Sequence, residues 1–169
     1  VTSFLILAHV LSPLSGVLCA TRKVMADSLD VVFEFVEPVI EKLEKSGSGS
    51  LSDLETTILS VWLLEADVNN GGFNQYFWNS SGDFANQVVT SLHKIGAVET
   101  ADIVKAALAN FPHSTPPTNR DERQNILETL EESGTLKLDS LDAEFYECPC
   151  DLIELMYQYI SEQNAVGGT

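Results

Sequence analysis

The chain has 169 residues, 44% of them hydrophobic and 20% charged, which is enough for one domain with a real core. It carries 25 acids against 9 bases, a formal net charge of −16, and every acid lies at or after Asp27. That balance excludes the basic footprint of a free-standing DNA or RNA binder. It favours attraction to basic surfaces, including those that normally hold phosphate.

Residues 1–24 read as a leader that stands apart from the rest. Phe4 to Leu18 is mostly apolar but too short to span a bilayer comfortably, so no stable membrane span is expected. A signal segment ending near Cys19-Ala20 would imply export, yet no Lys or Arg precedes it as a positive n-region requires. A second reading takes Met25 as the true start and gives a cytoplasmic protein; a third makes the segment a structural helix. The three cysteines, Cys19, Cys148 and Cys150, form no disulfide framework, and Cys148-Pro149-Cys150 is too close in sequence for an easy bridge. Reduced, intracellular thiols fit that count. His9, His93 and His113 are scattered, so neither a metal nor another cofactor is expected.

From Asp27 the apolar residues Leu29, Val32, Phe33, Val36, Val39, Ile40 and Leu43 recur at three- and four-residue steps, which predicts an amphipathic helix. Pro38 should kink or divide it. On the opposite face Asp30, Glu34, Glu37, Glu41 and Glu44 fall within roughly an 80° arc, about 5 Å apart along the axis. Gly47-Ser48-Gly49-Ser50 then reads as a flexible linker, so residues 25–50 form an N-terminal helix and its connection.

Residues 51–162 read as the main helical unit. Ser52-Asp53-Leu54-Glu55 is a capping box, and the helix it opens is apolar nearly all round from Leu54 to Leu64, which predicts a central, buried position. Gly71 or Gly72 ends it, and a short helix through Phe73, Tyr76 and Phe77 follows. Ser80-Ser81-Gly82-Asp83 offers an N-cap for a helix with Phe84, Val88, Leu92 and Ile95 on one face, with His93 near its buried side, and Gly96 closes it. Ile103 to Phe111 marks another helix, stopped by Pro112. Thr118 or Asn119 caps the next, about 120 to 132, and Gly134 ends it. A short helix runs from Asp139-Ser140 through Phe145, Pro149 opens the last one, and residues 163–169 form a tail that should fray. The expected architecture is all-α, a single compact bundle of seven or eight helices.

Asn70-Gly71-Gly72-Phe73-x-Gln75-Tyr76-Phe77-x-Asn79, with a helical Glu65 just before it, resembles the signature of the bacterial DNA-mimic-protein-19-like domain family. The likeness continues through Ser81-Gly82-Asp83, Ile95-Gly96-Ala97, Phe111-Pro112, the Arg123 region and Leu141-Asp142-x-x-Phe145-Tyr146, over about residues 50 to 162. Most members are domains of unassigned function. The member that names the family is similar to an acidic helical dimer that imitates duplex DNA on a transcription factor. The resemblance therefore implies an all-α fold and, through acidic surfaces rather than a motif, a basic and DNA-binding protein partner.

The partner-binding candidates are the α-helical stripe Asp30, Glu34, Glu37, Glu41 and Glu44 and a second array that includes Glu128, Glu131 and Glu132. One stripe at about 5 Å is sparser than the one charge per 3.4 Å of a DNA strand, so mimicry needs the second array or a homodimer partner. The competing reading is a solvated face, partly relieved by a Glu41–Lys45 pair. Glu65, Asn70, Gly71, Gly72, Phe73, Gln75, Tyr76 and Asn79 read first as helix termination and packing. A small-molecule or peptide pocket built on Glu65, Asn70, Gln75 and Tyr76 is the alternative. Glu65 and Asp67 point in different directions on a helix, no nucleophile context surrounds Ser80, Ser81 or Ser91, and no phosphate loop appears, so no enzyme and no catalytic residue is expected.

Overall fold

The computed structural model describes residues 18–148 and 150–167, with side chains from Ser28 to Ala165. The leader readings for residues 1–17 and the helix-opening role of Pro149 lie outside the described residues. Among the described residues there are seven α-helices, three short 3-10 turns and no strand, so the bundle is all-α as expected. None of these helices is long and apolar enough to cross a membrane.

The first helix, α1 (Leu18–Ser46), is longer than the periodicity implied and runs undivided through Pro38. Pro38 and Glu34 are both exposed, so the Glu34 carbonyl that loses its helical N–H partner can be met by water rather than forcing a break. Val32, Val36 and Val39 are buried against the core. Phe33, expected on that face, is 52% exposed and instead contacts the Trp62 ring at 6.3 Å. The Gly/Ser connection is a defined turn and not a loose linker: Gly47 N–H donates to Leu43 O (2.8 Å) and Ser50 Oγ to Gly47 O (2.7 Å).

The second helix, α2 (Asp53–Trp78), is the axis of the bundle and packs against α1, α3, α5, α6 and α7. Its capping box is complete, with Glu55 N–H on Ser52 Oγ (3.2 Å) and Ser52 N–H on Glu55 Oε2 (2.6 Å). Ile58, Leu59, Val61, Leu64, Val68, Phe73, Tyr76 and Phe77 are all fully buried, which is why its sequence shows no polar stripe. Its last turn joins two neighbours edge-to-face, Phe73 with Phe145 at 5.7 Å and Phe77 with Phe111 at 4.9 Å.

Ser80–Phe84 is a 3-10 turn, so Ser80–Asp83 does not cap α3 (Ala85–Lys94), which starts without a side-chain cap. Those residues are held by other partners, described below. Val88, Leu92 and Ile95 are buried as predicted, but His93 is exposed. Gly96 (φ +85°) turns the chain into α4 (Val98–Leu108). Asn119 caps α5 (Arg120–Glu132) by accepting Glu122 N–H at 3.0 Å. After α6 (Asp139–Glu147), Asp151 caps α7 (Leu152–Gly167) by accepting Glu154 N–H at 3.0 Å. Residues 163–167, expected to fray, continue α7 because no helix-ending residue intervenes before Gly167.

Candidate functional site

The Asn-Gly-Gly-Phe stretch sits at a break in α2. The backbone leaves the helix at Gly71 (φ −164°, ψ 26°) and Gly72 (φ 75°, ψ −178°) and resumes at Phe73. A break of this kind strands a carbonyl on one side and an N–H on the other. One face of α6 satisfies both. Asp142 Oδ1 accepts Phe73 N–H at 2.7 Å, and four residues on, Tyr146 Oη donates to Val68 O at 2.8 Å. Gly72 is required twice over. Its φ lies in the left-handed region, and a Cβ there would stand 2.8 Å from the Asp142 carboxyl carbon.

The far end of α2 is closed by α5. Arg123 is fully buried, and its five N–H groups all find acceptors. Nε donates to Phe77 O (2.6 Å), Nη2 to Asn79 O (2.8 Å) and Asp83 Oδ1 (2.8 Å), and Nη1 to Pro117 O (2.7 Å) and Thr118 O (3.3 Å). Arg120 Nε (3.0 Å) and Gln124 Nε2 (2.8 Å) share Trp78 O. Three successive carbonyls at the negative end of α2 are thus covered by donors from α5, two of the three residues cationic. A Cβ on Gly82 would lie 2.6 Å from Arg123 Nε, which explains the glycine in the 80–84 turn. Apart from its family context Arg123 was not a candidate, although a cation on the same helical face as Leu127 was the available signal.

Between these closures lies a polar interior. Asp67 Oδ1 accepts both Gln75 Nε2 (3.1 Å) and Asn79 Nδ2 (3.0 Å), tying the two sides of the break together. Asp67 Oδ2 and Tyr76 Oη are buried without a hydrogen-bond partner among the described residues. Burial holds the Tyr76 phenol far above its ordinary value; Arg123 opposes this, and the Asp67 and Asp83 carboxylates add to it. Glu65, half-buried, accepts Asn69 Nδ2 at 3.3 Å, and burial plus the Asp151 charge push its carboxyl up to about 7. Asn70 is exposed. Of the expected pocket residues, Gln75 serves Asp67, Tyr76 is sealed in the core, Glu65 faces the start of α7, and Asn70 faces solvent.

The family model for DMP19-like protein matches residues 49–163. The chain belongs to the DMP19-like family. The matched stretch contains α2 to α6, most of α7, the glycine break and both of its closures, while α1 lies outside it. No curated protein matches the chain, and no solved structure does either.

On this DMP19-like scaffold the predicted acids are at the surface. Asp30, Glu34, Glu37, Glu41 and Glu44 are all exposed, opposite the Val32, Val36 and Val39 anchor, with Glu41 paired to Lys45 at 2.9 Å. Glu128, Glu131 and Glu132 are exposed on α5. The arrays are carried separately: α1 packs on α2 and α7, whereas α5 packs on α2 and the 80–84 turn. Not every acid of the C-terminal third is free for a partner. Asp142 holds Phe73 N–H, Asp151 caps α7, and Glu154 accepts Ser28 Oγ at 2.6 Å. Asp142 also borders a surface pocket of about 190 Å³ with Asn74, Glu131, Leu136, Leu138 and Asp139.

Two outcomes follow from this geometry. Gly72→Ala forces either a strained left-handed residue or loss of the Asp142–Phe73 bond, and should cost roughly 2–3 kcal/mol in urea unfolding. Glu65 has its folded value raised from 4.5 to about 7, so the stability it contributes is full below 4.5 and is lost as pH rises through about 7. Glu65→Gln should therefore match the wild type at pH 4.5 and exceed it at pH 8, by about 2 kcal/mol after allowance for partial exposure.

Proposed function

We propose that the chain is a non-enzymatic acidic interaction protein that occupies the phosphate-binding surface of a basic, DNA-binding protein partner. The observation that supports this most is the α1 face, where five carboxylates stand in helical register on an element anchored by three buried valines. A rigid helix fixes the charges relative to one another, so no ordering of the acidic face is needed on binding. Of the two arginines of α5, Arg123 is buried and paired with Asp83, so its charge is not presented beside the second array. Since one stripe is sparser than a DNA strand, the reading requires α5 or a second copy of the chain to supply further charge. It places the protein in the cytoplasm, where DNA-binding partners are found.

Binding of this kind is electrostatic, so it should weaken steeply with salt and compete with duplex DNA. Charge reversal of Glu34, Glu37 and Glu41 to Lys should abolish capture of DNA-binding proteins from lysate while leaving the melting temperature within a few degrees, because all three are exposed. Capture that survives the reversal, or is unaffected by added duplex DNA, contradicts the proposal.

A second reading, a module that binds a small molecule or peptide at the Asn-Gly-Gly-Phe motif, draws on the unpartnered Tyr76 Oη and Asp67 Oδ2. Under it, Asn70→Ala and Gln75→Ala remove ligand binding without lowering the melting temperature. If the motif is architectural, Gln75→Ala lowers the melting temperature through the lost Asp67 bond and Asn70→Ala changes little.

A further inference from the structure

The segment between α6 and α7 carries two thiols that neither the fold nor the proposed function uses. Cys148 and Cys150 are both free and half-buried. Both reach the first turn of α4: Cys148 Sγ lies 3.4 Å from Thr100 Oγ1, and Cys150 Sγ donates to Glu99 Oε2 at 3.5 Å. Cys150 also directs its backbone N–H at the Cys148 sulfur, while its single thiol proton points at Glu99. The two sulfurs therefore differ in chemistry although one residue separates them. Burial pushes the Cys148 thiol up, but the Thr100 hydroxyl and the Cys150 backbone N–H outweigh it and hold Cys148 below the ordinary thiol range. Burial pushes Cys150 up; the Thr100 hydroxyl opposes this, but the neighbouring Cys148 and Glu99 reinforce it and hold Cys150 above the ordinary thiol range.

We propose that Cys148 and Cys150 form a redox pair that reacts with low-molecular-weight disulfides, with Cys148 as the attacking thiolate and Cys150 as the resolving thiol. The Cys148 thiolate attacks one sulfur of the small disulfide, forming a mixed disulfide and expelling one small thiolate, which takes up a proton. Cys150 then loses its proton toward Glu99 and solvent and attacks Cys148 Sγ. The second small thiolate leaves, and the Cys148–Cys150 disulfide closes. The protein gives up two electrons and two protons, and the small disulfide is reduced to two thiols. One intervening residue makes the ring small and strained, so ordinary thiols reopen it and the modification is reversible. The pair is independent of the acidic faces, and its behaviour leaves the function proposed above untouched.

The experiment uses the full chain carrying Cys19→Ser, so that only this pair reports, treated with oxidised glutathione, acid-quenched, and read by intact mass and peptide mapping. The expected product is two hydrogens lighter than the starting protein and returns to the starting mass with dithiothreitol. Cys150→Ser should stop at one glutathione adduct on Cys148, and Cys148→Ser should react at least about tenfold more slowly. Accumulation of a glutathione adduct on the chain with both thiols, equal rates for the two single variants, or no reaction would each overturn the proposal. If a serine variant loses helical circular dichroism, the two-hydrogen loss of the intact pair still decides the matter.

Discussion

A buried guanidinium holds the end of this bundle's axis. Arg123 brings α5, the end of α2, the 80–84 turn and the approach from Pro117 to one point, and it spends all five donors there. Removing an arginine from water costs several kcal/mol, and that cost is met only because each N–H has a carbonyl or carboxylate and the site is the negative end of a helix. A lysine could not do this, having three donors on a flexible point charge where five are needed in a planar fork. The same constraint explains Gly82, which must lack a side chain for the guanidinium to lie against it.

The break at Gly71–Gly72 extends this logic along α2. Interrupting a central helix strands polar backbone in the core, and the fold answers with two residues four apart on α6 and with Asp67, which bonds Gln75 and Asn79 across the break. Phe73, Tyr76 and Phe77 are thereby turned into the core, where Phe145 and Phe111 meet them. The motif that marks the family is thus largely occupied in holding itself together. The acids of the α1 and α5 faces lie outside it, at the surface.

What was legible in the sequence was local. The Ser52–Glu55 box, the Asn119 cap, the stops at Gly96 and Gly134 and the glycine break all rest on interactions within a few residues, and each lies where its chemistry placed it. What was not legible was carried by distant pairs. Asp142 meets Phe73 across 69 positions and Tyr146 meets Val68 across 78, and nothing in either neighbourhood announces the other. Ser80–Asp83 misled for the same reason, since Asp83 looks like a cap until Arg123 claims it. Pro38 does not divide α1 because exposure, which softens a proline's effect, is a tertiary property. The acidic stripe was legible as a face, but whether the charges form a DNA-like pattern depends on elements that do not neighbour one another in sequence.

The Arg123 closure is part of the cooperative core. Amide and guanidinium hydrogen exchange by NMR tests it directly, with the partly exposed Arg120 Nε–H as the internal control. Arg123 Nε–H is expected to exchange only through global unfolding, as slowly as the buried amides of α2. Exchange of Arg123 at the rate of Arg120 would contradict it.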